Sequence, residues 1–254
     1  MNAVAFPGRP ARRRRALADP DPAERVALVS GANRGLGLEV VRQLAATGMT
    51  VLLGARKFLA GEKAARQLRR EGGSVIAVPL DVTSTDDVRA LSTRIEHDYG
   101  RLDILVNNAG AYFDIDNEAS SVDMDIVRKA LETNLLGAWQ LTEAMLPLMR
   151  RRDYGRIVNV SSGCGSLESE GTSCPAYRVS KAALNSHTRM LAMELAGSGV
   201  LINAVCPGWV ATDMGGHGGR PVAEGAAGIV WAATLPSCPA VTGGFFRDGA
   251  RIDW

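Results

Sequence analysis

Val26 to Ser30 form a short apolar run that leads into Gly31-Ala32-Asn33-Arg34-Gly35-Leu36-Gly37 and then into the apolar-periodic stretch Leu38 to Thr47. Strand, glycine turn and helix in that order constrain this chain more than any other feature. Such a turn lets the backbone approach a pyrophosphate closely. The free amides and positive dipole end of the following helix favour the anion. Three residues separate Gly31 from Gly35 and one separates Gly35 from Gly37, a spacing different from the common G-x-G-x-x-G. A tight strand-to-helix connection without ligand would use the same glycines, so the turn alone leaves both readings open.

The remainder of the chain repeats the alternation. Apolar runs at Val51 to Leu53, Val75 to Val78, Ile104 to Val106, Ile157 to Val160 and Leu201 to Val205 are separated by helical patterns, with a last short strand near Gly244 to Phe246. Near-continuous apolar strands between helices imply a doubly wound, Rossmann-type α/β fold: a parallel sheet of about seven strands with helices on both faces and right-handed crossovers. Ligands of such sheets bind outside the carboxyl ends of the strands, where the strand order reverses. Residues 24–254 read as one domain, since about 230 residues suffice for one large core and nothing among them resembles a linker.

Residues 1–23 differ in composition. They hold five arginines (Arg9 and Arg12 to Arg15), the acids Asp19 and Asp21, and prolines at 7, 10, 20 and 22. A disordered basic arm is expected. Its charge of +3 leaves about −1 for the rest of a chain whose total is +2, so the body is not basic and no nucleic-acid partner is expected. No apolar run approaches the roughly 20 residues of a membrane span. Cys164, Cys174, Cys206 and Cys238 form no C-x-x-C pair and have no histidines at ligand spacing, which points away from zinc and redox dithiols and towards reduced thiols in a cytoplasm.

Tyr177-Arg178-Val179-Ser180-Lys181 places a phenol and an ammonium on one helix face, downstream of Ser161 and Ser162. A lysine beside a tyrosine favours the phenolate and would let the tyrosine exchange a proton nearer neutral pH. An isolated Tyr-x-x-x-Lys is usually ordinary helix surface, and the context decides. Gly31-x-x-x-Gly35-x-Gly37, Asn107-Asn108-Ala109-Gly110, Asn134, Ser162, Tyr177-x-x-x-Lys181 and Pro207-Gly208-x-x-x-Thr212 follow the order of the short-chain dehydrogenase/reductase family, which the chain resembles over residues 24–254. Pro207 to Met214 and the ending Gly243 to Trp254 look like its carbonyl reductase and menthone reductase branch.

The resemblance implies NADP(H) as cofactor, held by Gly31, Asn33, Arg34, Gly35, Leu36, Gly37, Arg56, Asp81, Val82, Asn108, Ala109, Gly110, Tyr177, Lys181, Pro207, Gly208, Val210 and Thr212. Arg56, where an NAD enzyme would usually carry an acid, and Arg34 would clasp the 2′-phosphate. Asp81 would meet the adenine amine, or else cap the helix beginning near Ser84. Asn107 would brace the sheet. Val210 and Thr212 would secure the nicotinamide carboxamide.

Asn134, Ser162, Tyr177 and Lys181 would form the catalytic tetrad, with Ser161 structural and Asn134 interrupting its helix to hold a water behind Lys181. The implied reaction is NADPH-dependent reduction of a ketone or aldehyde without a metal. The alternatives are the oxidative direction on an alcohol, and a nucleotide-binding regulatory protein without turnover. Trp209, Met214, Tyr112, Phe113 and Glu168 are candidate contacts for an apolar cyclic or aromatic substrate, and Gly215 to Gly219 reads as a short mobile lid. The loop before Tyr177 lacks the long insertion of monomeric carbonyl reductases. The apolar Ala182, Ala183, Leu184, Met190, Leu191, Met193 and Leu195 therefore suggest a homodimer or tetramer through that helix.

Overall fold

The computed structural model describes residues 19–115 and 117–254. Its strands are β1 (Val26–Val29), β2 (Thr50–Ala55), β3 (Val75–Pro79), β4 (Ile104–Asn107), β5 (Gly155–Val160), β6 (Val200–Val205), β7 (Phe245–Arg247) and β8 (Ala250–Arg251). They join in one sheet of order β3-β2-β1-β4-β5-β6-β7-β8. Every pairing is parallel except β7 with β8. The doubly wound fold expected from the apolar runs is present, with one more strand than the seven expected. β8 escaped the sequence pattern because both its residues are exposed.

Between the strands run α1 (Gly35–Ala45), α2 (Phe58–Arg70), α3 (Thr85–Tyr99), α4 (Met124–Leu131), α5 (Gly137–Arg150), α6 (Pro175–Glu194) and α7 (Val222–Ala233). The two-residue period of the strands divides the core. Ala27, Val29, Val51, Leu53, Ile104, Val106 and Val158 pack against α1, α2 and α7. Val26, Leu28, Leu52, Leu105, Ile157 and Ile202 pack against α3, α5 and α6. Alternate side chains thus bury both faces, which is why the strands read as unbroken apolar runs.

The winding direction changes between β1 and β4, so their carboxyl ends part and leave a crevice at the rim. A polar chain runs under this rim through the otherwise apolar layer. Asn107 donates to Thr142 Oγ1 and Asn159 Oδ1, each at 2.8 Å, and Asn159 donates to Thr188 Oγ1 at 2.8 Å. Asn107 is therefore the brace it was expected to be, tying β4 to β5, α5 and α6.

Residues 1–18 of the expected disordered arm lie outside the described residues. The boundary expected after residue 23 is not a break in structure. Asp19 accepts hydrogen bonds from the amide and hydroxyl of Ser237, and the Pro20 carbonyl accepts two from Arg25. Among the described residues no helix is long and apolar enough to cross a membrane.

Candidate active site

The glycine turn is built on the crevice between β1 and β4. Gly31 (φ +63°) and Gly35 (φ +55°) occupy the left-handed region that favours glycine. At Gly31 a Cβ would also stand 2.8 Å from Ala109 Cα. α1 starts after Arg34 with no side-chain cap, so its first amides are left for a ligand. Asn108, expected to help hold the cofactor, braces the turn. Its amide donates to the carbonyls of Ser30 (2.9 Å) and Gly31 (3.1 Å), which ties the turn to the end of β4. Ser30, which the sequence reading passed over, completes this tie: its Oγ accepts from Asn108 N at 3.1 Å and Ala109 N at 3.0 Å.

A dinucleotide fits this rim. The uncapped α1 terminus faces a turn that tolerates no side chain at Gly31, and Thr212 approaches from the far side, its Cγ2 3.6 Å from where a Gly35 Cβ would lie. The basic residues are unequal. Arg34, exposed, is paired with Asp213 at 2.5 Å. Arg56 and Lys57, at the carboxyl end of β2, are exposed, and their side chains carry no hydrogen bond or ion pair among the described residues.

Asp81 gives one oxygen to Thr83 N (3.0 Å) and Thr83 Oγ1 (2.8 Å) and does not cap α3. That role belongs to Ser84, which accepts from Asp87 N at 3.2 Å. Val82 is buried against Gly137, where a Cβ would come within 2.7 Å of its Cγ2, and this lets α5 approach the end of β3.

Asn134 lies in a π-helical turn, Glu132–Leu136, between α4 and α5, so the helix bonding is interrupted as expected. Its side chain accepts from Ala111 N (2.7 Å) and donates to Ala111 O and Ser180 Oγ (2.9 Å each). Asn134 is thus a clamp on the loop after β4. The point a Gly110 Cβ would occupy is 3.4 Å from Asn134 Oδ1 and 3.5 Å from Lys181 Nζ, so Gly110 leaves room where these two converge.

Lys181 is buried. Its Nζ donates to Val160 O at 2.8 Å and stands 5.7 Å from the centre of the Tyr177 ring. Burial lowers its pKa to about 8, against a smaller raising effect of Cys206. Tyr177 keeps some exposed surface, yet burial of the phenol raises its pKa, while a hydrogen bond with Ser162 lowers it. Desolvation is the larger influence on the phenol, and Lys181 is not among the groups that lower its pKa here. Ser162 Oγ also accepts from Cys164 N at 3.2 Å, whereas Ser161 is buried and bonded to Asn185 at 2.6 Å. The second serine of the pair faces the tyrosine.

The segment Pro207 to Thr212 follows β6. Val210 is buried and bridges Arg220, and Thr212 Oγ1 accepts from Gly215 N at 3.2 Å. Cys206 anchors this segment, its sulfur accepting from Gly163 N and Arg247 Nη2 at 3.1 Å each. No sequence signal separated this cysteine from the other three. Tyr112 meets Tyr177 edge-on at 5.0 Å between ring centres. Phe113, Trp209 and Met214 are exposed, and Trp209 Nε1 donates to Gly215 O at 2.6 Å, folding the indole onto the glycine segment. Glu168 is exposed on the loop after β5, and no contact joins it to Tyr177 among the described residues. Nor does any group of three or more His, Cys, Asp or Glu side chains there suit a metal ion.

The sequence pattern of the short chain dehydrogenase family matches residues 25–220. The chain is similar to carbonyl reductase [NADPH] 1 of Sus scrofa, 34% identical over 277 residues that cover 91% of this chain and 94% of that one. It is also similar to a 3-oxoacyl-[acyl-carrier-protein] reductase of Synechocystis, 36% identical over 190 residues, 74% of this chain and 75% of that one. Among solved structures it resembles NADPH-bound carbonyl reductase from chicken fatty liver, with TM-score 0.79 and 27% identity, covering 91% of this chain and 99% of that one.

The titration of Lys181 can be read directly. Its lowered pKa means the ammonium persists below about pH 8 and is lost above it. Heteronuclear NMR of Nζ-labelled protein is expected to show one lysine titrating near pH 8, absent in Lys181→Met. If every lysine titrated at its ordinary value of about 10.4, the burial argument would fail.

Proposed function

The chain belongs to the short-chain dehydrogenase/reductase family, and on that premise we propose that it is an NADPH-dependent reductase of ketones or aldehydes in which Tyr177 is the proton donor. The observation that carries this reading is the meeting of Tyr177, hydrogen-bonded to Ser162 and with Lys181 beside its ring, at the rim that holds the glycine turn. Gly31 to Gly37, Arg56, Asp81, Val82, the Asn108 to Gly110 segment, Lys181 and the Pro207 to Thr212 segment would hold the cofactor. When bound, NADPH supplies the hydride that reduces the carbonyl carbon.

The protein's own groups manage the oxygen. Burial keeps Tyr177 protonated through neutral pH, so it meets a carbonyl oxygen as an acid. Ser162 donates to the same oxygen and offsets charge building there. Lys181, an ammonium below about pH 8, stands close enough to stabilise the phenolate left by proton transfer. An intact Asn134, Ser162, Tyr177 and Lys181 argues against a nucleotide-binding protein without turnover.

An apolar cyclic or aromatic carbonyl suits the rim, where Tyr112 flanks Tyr177 and Phe113, Trp209 and Met214 present exposed apolar surface. The reductase names of both curated relatives support carbonyl reduction as the class. A homodimer or tetramer is proposed through α5 and α6. Leu184, Leu191 and Leu195 fill the core of the chain itself, whereas Val179, Met190 and Met193 of α6 and Leu136 and Trp139 around the start of α5 remain exposed. A groove of about 300 Å³ lined by Leu167, Met190, Met193 and Trp254 runs beside them. Exposed apolar surface of this kind marks an interaction face.

Tyr177→Phe is expected to abolish NADPH-dependent turnover of a panel of quinones, cyclic ketones and aldehydes while NADPH binding is retained. Retained turnover would remove Tyr177 from the proposed chemistry. NADPH should bind at least about tenfold tighter than NADH, a difference of about 1.4 kcal/mol, and Arg56→Ala should erase most of that ratio. Arg34→Ala should change it less, because Arg34 is already paired with Asp213. Static light scattering checks the assembly, and a monomer mass at micromolar concentration would refute it.

A further inference from the structure

The helix that carries Tyr177 has no cap of its own. Cys174, at the N-cap position, has left-handed backbone angles (φ 52°, ψ 51°) and makes no side-chain capping bond, and Pro175 has no N–H. The next amides are satisfied from afar. Asp114 Oδ2 accepts from Ala176 N at 2.6 Å and from Tyr177 N at 3.3 Å, reaching across more than sixty residues of chain. Asp114 is 0% exposed, and its Oδ1 is buried with no hydrogen-bond partner among the described residues.

Stability is a poor account of this arrangement. Burying a carboxylate is costly, and leaving one of its oxygens unpaired adds to the cost. A serine, threonine or asparagine at the N-cap would satisfy the same amides locally. A carboxylate from another segment also registers that segment against the helix. The loop after β4 is held at three points. Asn134 takes both backbone groups of Ala111, Glu118 pairs with Ser173, and Asp114 between them binds the backbone N–H of Tyr177 itself. The same loop brings the Tyr112 ring edge-on to Tyr177, with 64° between the ring planes.

We propose that Asp114 is a positioning residue for Tyr177: its carboxylate locks the start of α6 to the Asn134-held loop and so fixes where the phenol stands relative to Ser162 and Tyr112. The proposal rests on Tyr177 being the proton donor. Asp114 lies outside the residues assigned to the cofactor, so its removal should be felt in the chemical step and not in nucleotide binding.

The test compares Asp114→Ala, Asp114→Asn and Tyr177→Phe, with NADPH as titrant and the best-reduced carbonyl of the panel as substrate. Asp114→Ala should lower kcat at least about tenfold with NADPH Kd and carbonyl KM within about threefold of the unmodified enzyme, since small misplacements of a reacting group are costly. Asp114→Asn retains an oxygen for Ala176 N–H and should keep more than about a third of kcat. The proposal is overturned if Asp114→Ala turns over at the normal rate, if it loses NADPH binding in step with turnover, or if Asp114→Asn is as impaired as the alanine variant. An active Tyr177→Phe would sink the proton-donor reading. An inactive Tyr177→Phe beside a fully active Asp114→Ala would sink this inference alone.

Discussion

An ammonium taken out of water must recover its solvation from the surrounding protein, and Lys181, 4% exposed with one hydrogen bond, to the Val160 carbonyl, sets this demand at the centre of the molecule. Much of the nearby architecture answers to it. Val160 is the last residue of β5, so the accepting carbonyl sits at the rim. Gly110 has no side chain to fill the space between Lys181 and Asn134. The π-helical turn places Asn134 inward, where it grips Ala111 in the loop after β4. The lysine pKa lowered to about 8 follows from burial that the hydrogen bond to Val160 does not offset.

The same demand explains why tyrosine and lysine share a helix face without one simply lowering the other's pKa. The ammonium and the phenol are both desolvated, which disfavours both charged forms: the phenol is held up and the ammonium down. In the proposed reaction the lysine's charge would matter most once the phenolate exists.

The sheet was legible because its strands are buried on both faces, so the apolar runs at Val26, Val51, Val75, Ile104, Ile157 and Leu201 had few other structures to adopt. The glycine turn and the Tyr177–Lys181 pair stand out as motifs because residues near one another in sequence form each, whereas Asn134 and Ser162 were picked out only by the family order. Ser30, Asp114 and the Arg34–Asp213 pair were not legible. Each acts through a partner more than sixty residues away, and serine, aspartate or arginine in a loop carries no local pattern that names such a partner. β8 was missed for the opposite reason: two exposed residues paired to one neighbour leave no periodicity to read. The attachment of Asp19 to Ser237 was hidden by a composition that resembles a solvated arm.

The buried layer under the rim and the exposed rim itself are held differently. Lys181, Asn134 and Asn107 are fixed by buried bonds that cross between secondary-structure elements, so altering one disturbs several neighbours. Trp209, Met214, Phe113 and Leu167 are exposed on loops, and the bonds nearest them are few. Trp209 is held by Gly215 six residues on, and Leu167 N donates to the backbone of the terminal Trp254. A rim tied so lightly can change shape and chemistry while the crevice between β1 and β4 stays as it is.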